Sequence, residues 1–431
     1  MDAPQRTRGR PVGGLKVAVR AGALAWHVTT AAGRLGLALA WRRLARREEP
    51  KAAVFGSTLA ALFRALGPTY VKLGQILATR QDLLGEEVVR RLEPLQDRLG
   101  PAPFAAVAER FREELRLELR DVFAELGEHP IASASIACVY RGALHDGREV
   151  AVKVRRPGIV ARVEADLRVL ELGASAIGRL PALRSVPIRA SFDEFAGCVR
   201  RQLDFRAEAD AARRVRTMLS SQPNVVVPAL VDRYCGASIL TMQLVPTGHA
   251  PNGRMQSREA LLTALRALYL MIFVEGFVHC DLHRGNLHLL RDGRAVILDF
   301  GFVAELPEAV RRKFAEFFYA MATNDGTRCA QIVVETAEFL PPNLAYADFE
   351  AELSAIVARA AGARVRDFQV AEFVLSVFDL ERRYRIYGTT AFTMAIVSLL
   401  VFEGIAKKVD SELDFQREAV PFVARALVER V

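Results

Sequence analysis

Apolar positions recur every three or four residues through most of the chain, and where that spacing breaks, the breaks mark out an architecture. Between residues 51 and 130 the spacing predicts helices: Gly67-Pro68 puts proline in a first helical turn, Tyr70–Leu84 follows, residues 95–103 form a loop, and Phe104–Leu119 alternates charged and apolar residues at helical intervals. No strand signal is present in that zone. From residue 131 the period drops to two, and Cys138–Leu144, the turn His145-Asp146-Gly147 and Glu149–Val154 predict a β-hairpin. Helical spacing returns over Val160–Gly178 and Ser191–Ser220, and Asn224–Pro228 and Ser238–Val245 read as two further strands. From Ser257 the chain is mostly helical apart from Val278–Phe302. Ala391–Val401 is apolar but too short to span a bilayer, so it reads as a buried core helix. The expected class is α+β: an arm (1–50), a helical extension (51–130), a small β-containing lobe with a helical insert (131–246), and a larger helical lobe (247–431).

Charge changes the picture at one place. The 431 residues carry 59 basic and 50 acidic side chains, a net +9. Residues 1–50 hold ten of the basic and three of the acidic groups, a local +7, which leaves +2 for the other 381. Basicity therefore does not indicate a nucleic-acid protein, and no aromatic or base-reading residues are interleaved with these arginines. At about 100° per residue, Lys16, Arg20, His27 and Arg34 fall within about 40° of one another, with Ala, Leu, Val and Trp26 around the rest of the wheel. Arg42, Arg43, Arg46 and Arg47 continue the basic run. Two readings follow: a helix lying on an anionic membrane surface, or one packed on the body with a solvated face. No cleavage site follows a compact apolar stretch, which argues against a secretory signal. Five cysteines, odd in number, widely spaced and without a C-x-x-C pair, fit a reducing compartment better than a disulfide framework. The expected location is cytoplasmic, peripheral at the inner face of the cell membrane.

The chemistry concentrates in His279-Cys-Asp-Leu-His-Arg-Gly-Asn286, followed by Asp299-Phe-Gly301. Kinase catalytic loops read H-R-D-L-x-x-x-N and precede D-F-G, because an Asp near the incoming hydroxyl accepts its proton, an Asn five residues on reaches metal, and the later Asp bridges metal to phosphates. Asp281 is thus the candidate base, and Asn286 and Asp299 the candidate Mg2+ ligands. Lys153, in Val150-Ala-Val-Lys153 on the second hairpin strand, is the candidate phosphate cation, and Glu208 the helix carboxylate that holds it. A metal cluster of His279, Cys280, His283 and His288 is disfavoured, because the preceding helix ends near Gly276 and H-x-x-x-H does not lie on a helix face. Buried salt bridges without catalysis are the remaining alternative for Lys153 and Asp299.

These residues, with Lys72-Leu-Gly-Gln75, Arg80-Gln-Asp-Leu-Leu84, Leu95-Gln-Asp97, the Ala-rich loop Ala132-Ser133-Ala134-Ser135-Ile136-Ala137, and Glu403-Gly-Ile-Ala-Lys-Lys-Val-Asp410, make the chain resemble the UbiB/AarF family of atypical kinase-like proteins, associated with ubiquinone and other isoprenoid-quinone or lipid metabolism. The resemblance runs from about Gly67 to about Asp410. It implies a bilobal kinase-like fold, ATP and Mg2+ as cofactors, and a K-x-G-Q helix laid over the cleft so that a protein substrate is excluded. It further implies that the Ala-rich loop lies where other kinases put glycines over the phosphates. Met242 and Leu244, in the hinge-like Leu240-Thr-Met-Gln243 and just after it, would line the nucleotide site. The acceptor it implies is small or lipid, with a biosynthetic protein complex as a further partner.

This chain departs from the family pattern in several places. Gln202-Leu-Asp204 stands where an E-x-D motif is usual, so Lys72, Gln75, Gln202 and Asp204 form a candidate regulatory set with one carboxylate missing. Cys138 stands where Gln is usual, Leu282 and Arg284 where two prolines are, and Gln243 where Glu is common. Two differences from ordinary protein kinases agree with the resemblance instead, the first being that Cys280 replaces the Arg of H-R-D. Only four residues separate Gly301 from Leu306, leaving little room for an activation loop. Two other functions fit the motifs less well: a small-molecule phosphotransferase of the aminoglycoside or choline kinase type, which also uses H-x-D-L-H-x-G-N, and a nucleotide-binding scaffold without turnover.

Overall fold

The alternating segment after residue 131 forms the expected hairpin, and it lies in the middle of a five-stranded antiparallel sheet. The computed structural model describes residues 14–44, 50–78, 84–92, 95, 100–179, 188–246, 257–362 and 369–428. Strands β1 (Phe123–Leu126), β2 (Ala132–Ser133), β3 (Ala137–Leu144), β4 (Glu149–Arg155) and, later in the chain, β6 (Ile239–Gln243) run in the order β1-β3-β4-β6, with β2 folded against β3. The register puts Lys153 opposite Val139 on one side and Leu240 on the other. Gly147, at φ +83°, closes the β3–β4 turn, a conformation open to glycine at little cost. Strand β1 lies where helical spacing alone had been expected, so the sheet begins before residue 131. Its four residues are too few to show a period.

Ahead of the sheet lie α1 (Gly14–Leu44), α2 (Lys51–Leu66), α3 (Pro68–Ala78), α4 (Glu86–Leu92) and α5 (Ala105–Arg110), which runs on as a π-helical turn Phe111–Leu115. The helix expected over Phe104–Leu119 stops at Leu115 because Arg116 turns left-handed, at φ +59°. After β4 come α6 (Ile159–Ile177), α7 (Ile188–Leu203) and α8 (Phe205–Met218). The single pattern Ser191–Ser220 is two helices, because Asp204 adopts extended backbone and caps α8 by accepting the Arg206 N–H.

The larger lobe packs α9 (Arg258–Tyr269, extended by Leu270–Glu275), α10 (Glu308–Ala322), α11 (Gly326–Glu335), α12 (Tyr346–Gly362), α13 (Val370–Tyr384), α14 (Thr390–Ala406) and α15 (Phe415–Val428) around one large apolar core. α14 is buried nearly all round, as its largely apolar sequence predicts. Glu403, itself buried in α14, accepts the Val370 and Ala371 N–H groups at 3.0 and 2.8 Å and so caps α13. Asp410 pairs with Arg258, so both carboxylates of the late motif tie helices together. Short strands β5 (Val225–Val226), β7 (Phe277–His279), β8 (Leu287–Leu289), β9 (Ala295–Ile297) and β10 (Val303–Glu305) carry the chemical segments. β8 and β9 form a three-stranded sheet with β5, and β10 pairs with β7. The catalytic loop thus joins β7 to β8, and Asp299-Phe-Gly301 joins β9 to β10.

Candidate active site

Lys153 sits on β4, where alternation turns its side chain to the inner face of the sheet, and Glu208 sits one turn into α8. Lys153 Nζ donates to both Glu208 oxygens, at 2.7 and 2.8 Å, and lies 3.3 Å from Asp299 Oδ1. Burial alone would lower the Lys153 ammonium, yet the Asp299 and Glu208 carboxylates outweigh it and hold the group above its ordinary value. Burial pushes Glu208 up to about 7 even with Lys153 against it. Asp299 is half-exposed. Against its desolvation, Lys153, the Gly301 N–H, His279 and Lys72 keep its carboxyl below the usual range.

The backbone at Asp299 is left-handed, φ +58°, and its Oδ1 accepts the Gly301 N–H at 3.2 Å. A non-glycine residue in this region is uncommon, and such strain gathers at functional sites. His279 is fully buried: its Nδ1 accepts the Asp281 N–H at 3.1 Å, so Nε2 carries the proton that is donated to the Leu298 carbonyl at 3.1 Å. Burial lowers its pKa, so the neutral ring pins the catalytic loop to the D-F-G segment. Asn286 Nδ2 donates to the Asp281 carbonyl at 2.9 Å, which leaves the amide oxygen for another partner. An amide oxygen and a half-exposed carboxylate are hard donors and fit Mg2+. The histidine–cysteine alternative fails: among the described residues no three His, Cys, Asp or Glu stand close enough to hold a metal. Cys280 is buried, its thiol pushed up to about 12 mainly by desolvation, with Ser398 of α14 beside it.

The Ala-rich loop is a narrow hairpin: Ala132 and Ser133 pair with Val139 and Cys138, and the Ala134 N–H donates to the Ala137 carbonyl at 2.9 Å. Ser135 is buried, and Ile136 packs between two apolar clusters. The loop is fastened by Arg156, which sequence reasoning missed. Its backbone N–H reaches the Ile136 carbonyl at 2.8 Å, and its guanidinium reaches Ala134 O and Ser133 Oγ at 2.7 Å and Gly100 O at 2.8 Å. The pair Arg155-Arg156 after the lysine strand was visible, but no spacing rule says which distant carbonyls it meets. At the hinge, Met242 pairs with Ala151, and the Leu244 N–H is already given to the Glu149 carbonyl at 3.0 Å, so that donor is spent within the sheet.

The candidate regulatory residues separate. Lys72 reaches the site: its ammonium lies 5.4 Å from the centre of the Phe302 ring, next to D-F-G. Gln75 braces α3 by donating to the Leu95 carbonyl at 3.0 Å. Gln202 is buried on α7, with its amide 3.9 Å from Cys198 Sγ one turn back, and Asp204 is the α8 cap, paired with Arg206. Lys72 makes no hydrogen bond or ion pair with any described residue. Thr79, Arg80–Asp82 of the motif ending at Leu84, and Gln96 and Asp97 lie outside the described residues.

The arm helix α1 reverses one expectation. The basic stripe faces the body: Arg20 pairs with the fully buried Asp166, and His27 and Arg34 line a 480 Å³ crevice against α2. The face left to solvent carries Val19, Trp26 and Leu37, more than 60% exposed and within about 20° of one another on the wheel. The side chains of Lys16 and of the run from Arg42 to Arg47 lie outside the described residues.

The chain is similar in sequence to known proteins. The family model of the ABC1 atypical kinase-like domain matches residues 94–333. The chain is 29% identical over 409 residues to "Probable protein kinase UbiB" of Pseudomonas paraeruginosa, covering 92% of this chain and 76% of that protein. It is 29% identical over 377 residues to the uncharacterized protein slr1919 of Synechocystis sp., covering 86% of this chain and 66% of that one, just under two thirds of its length. Among solved structures, the complex of Rv3197 with erythromycin from Mycobacterium tuberculosis aligns with TM-score 0.47 and 19% identity, over 79% of this chain and 90% of that one.

Proposed function

The chain belongs to the ABC1 atypical kinase-like family, and on that premise we propose that it is a Mg2+-dependent ATPase or phosphotransferase acting on a small or lipid acceptor at a membrane surface, in isoprenoid-quinone or lipid metabolism. The observation that carries the reading is the Lys153–Glu208 pair with Asp299 at 3.3 Å, one loop away from Asp281 and Asn286. Lys153 offsets charge on the nucleotide phosphates, and Glu208 keeps its ammonium aimed at them. Asn286 and Asp299 hold Mg2+, which neutralises the phosphate oxygens when bound. Asp281, 38% exposed and facing His283 at 3.9 Å, accepts the proton of the attacking hydroxyl or water. The Ala132–Ala137 loop covers the phosphates as a fixed hairpin, with Met242 and Leu244 at the base side. Lys72 and α3 stand over the D-F-G side of the cleft, which leaves poor access for a peptide and favours a small head group.

Support for membrane contact comes from the outward apolar face of α1, not from its basic stripe. Exposed tryptophans suit the bilayer interface, and the basic sequence just beyond residue 41 suits an anionic leaflet. No described helix is long and apolar enough to cross a membrane.

The test is thermal stabilisation by ATP with Mg2+, followed by steady-state ATPase with and without anionic liposomes. Wild type should be stabilised and turn over faster with lipid, while Lys153→Ala and Asp299→Asn lose the stabilisation. The absence of a nucleotide effect in wild type overturns the proposal.

A further inference from the structure

Behind the D-F-G segment lies a cavity of about 1050 Å³, bounded by α3, α6, α7, α8 and α14, with Leu24 of α1 at its edge. Its volume is at the upper end of the roughly 300–1,000 Å³ typical of small-molecule sites. One part of the wall is apolar: Leu73, Ile76, Leu77, Leu170, Phe192 and Phe195. Ionisable groups also line it, and nearly all are paired. Glu208 holds Lys153, Arg214 pairs with Glu305 and stacks 4.1 Å over Phe277, Asp210 pairs with Arg213, and Glu194 accepts the Thr390 hydroxyl. Arg201 is the exception, an exposed guanidinium at the wall with no hydrogen bond or ion pair among the described residues.

A long apolar wall with one unengaged cation suits an amphiphile. We propose that this cavity binds a lipid-like molecule with a prenyl or alkyl tail and an anionic head, the tail among α3, α6 and α7 and the head on Arg201. Leu24 places the cavity beside the arm helix whose outward face is apolar, so a tail drawn from a bilayer would meet it there. The ligand also touches Ala207 and Ala211, which flank Glu208 on α8. The inference deepens the lipid-directed part of the proposed function and rests on it only for the class of tail.

Gly173 gives a clean probe. It lines the cavity in the middle of α6, and a Cβ built there meets no atom within 4 Å, so Gly173→Phe fills the space without a backbone clash. Farnesyl phosphate and farnesol, both below their aggregation concentrations, are titrated calorimetrically into the full chain. Wild type should bind farnesyl phosphate saturably at one per chain, and Gly173→Phe should weaken both probes at least tenfold at an unchanged melting temperature. Arg201→Ala should weaken farnesyl phosphate about tenfold and farnesol less than twofold. Should Gly173→Phe fail to fold, Ala174→Phe on the same wall replaces it. Wild type without saturable binding, or a folded cavity-filling variant that binds normally, overturns the site, and equal losses for the two probes in Arg201→Ala overturn the head-group assignment. MgATP stabilisation is read on the same samples: its presence without farnesyl phosphate binding sinks the cavity alone, and the converse sinks the nucleotide reading alone.

Discussion

Glu208 titrates near neutral pH in the fold. Its carboxyl would titrate at 4.5 in the open chain, and burial lifts it to about 7 in the fold. Between those values the folded chain keeps a proton that the unfolded chain has lost. The group's contribution to stability is therefore full below about pH 4.5 and falls as pH rises through about 7. At about 1.4 kcal/mol per tenfold change in the ionisation constant, the loss is on the order of 3 kcal/mol. Asp299, held below its usual range, acts only at more acid pH. His279, kept neutral by burial, opposes the trend below its ordinary value of 6.5, where the unfolded chain takes up the proton, so the Glu208 decline is read above that value. The Lys153 contact needs the Glu208 carboxylate, so the nucleotide-competent geometry is completed as pH rises. Two readings on one protein should then move in opposite senses between about pH 6.5 and about pH 8: melting temperature without nucleotide declines, and the increment given by MgATP grows. Glu208→Gln, which cannot ionise, should flatten the first curve and remove the second. Parallel pH profiles for variant and wild type in differential scanning fluorimetry would refute this account of Glu208.

Three further outcomes follow from packing. A Cβ at Gly74 would stand 2.3 Å from Leu95 Cδ1 and 2.7 Å from Phe63 Cδ2, so Gly74→Val should cost about 1–3 kcal/mol in denaturant unfolding and carry Lys72 away from Phe302. Arg20→Ala leaves Asp166 buried with only the Thr69 hydroxyl, at 2.8 Å, among the described residues, and should cost about 3–5 kcal/mol, seen as faster limited proteolysis between α1 and α2. Trp26 and Trp41 are the only tryptophans and are both exposed, so anionic liposomes should blue-shift the intrinsic fluorescence. Leu37→Glu should abolish that shift, and an unshifted wild-type spectrum would remove the membrane assignment from this face.

The sequence showed the parts of this fold that depend on period and spacing. The hairpin holding Lys153, the order of the catalytic loop and D-F-G, and the burial of α14 follow from alternation, motif distance and a largely apolar run. What stayed hidden depends on distant contacts. The inward turn of the α1 stripe is decided by Asp166, a buried carboxylate 146 residues beyond Arg20. The clamp on the Ala-rich loop comes from Arg156 meeting carbonyls up to 56 residues away. Asp204 and Glu403 read equally well as site or motif residues until the backbone shows which helix each one caps. At Gln202 the sequence revealed the missing carboxylate, and the fold adds that the amide stays on its own helix beside Cys198.

The Arg156 clamp has a thermodynamic consequence. Arg156 follows directly on the strand that bears Lys153, so the loop it fastens and the lysine form one stiff body. A glycine-rich loop must give up much freedom to close on phosphates, and here most of that ordering is complete before any ligand arrives. Binding would then carry a small entropic penalty and little adaptability. A nucleotide whose phosphate chain differs by one group would find no loop able to follow it.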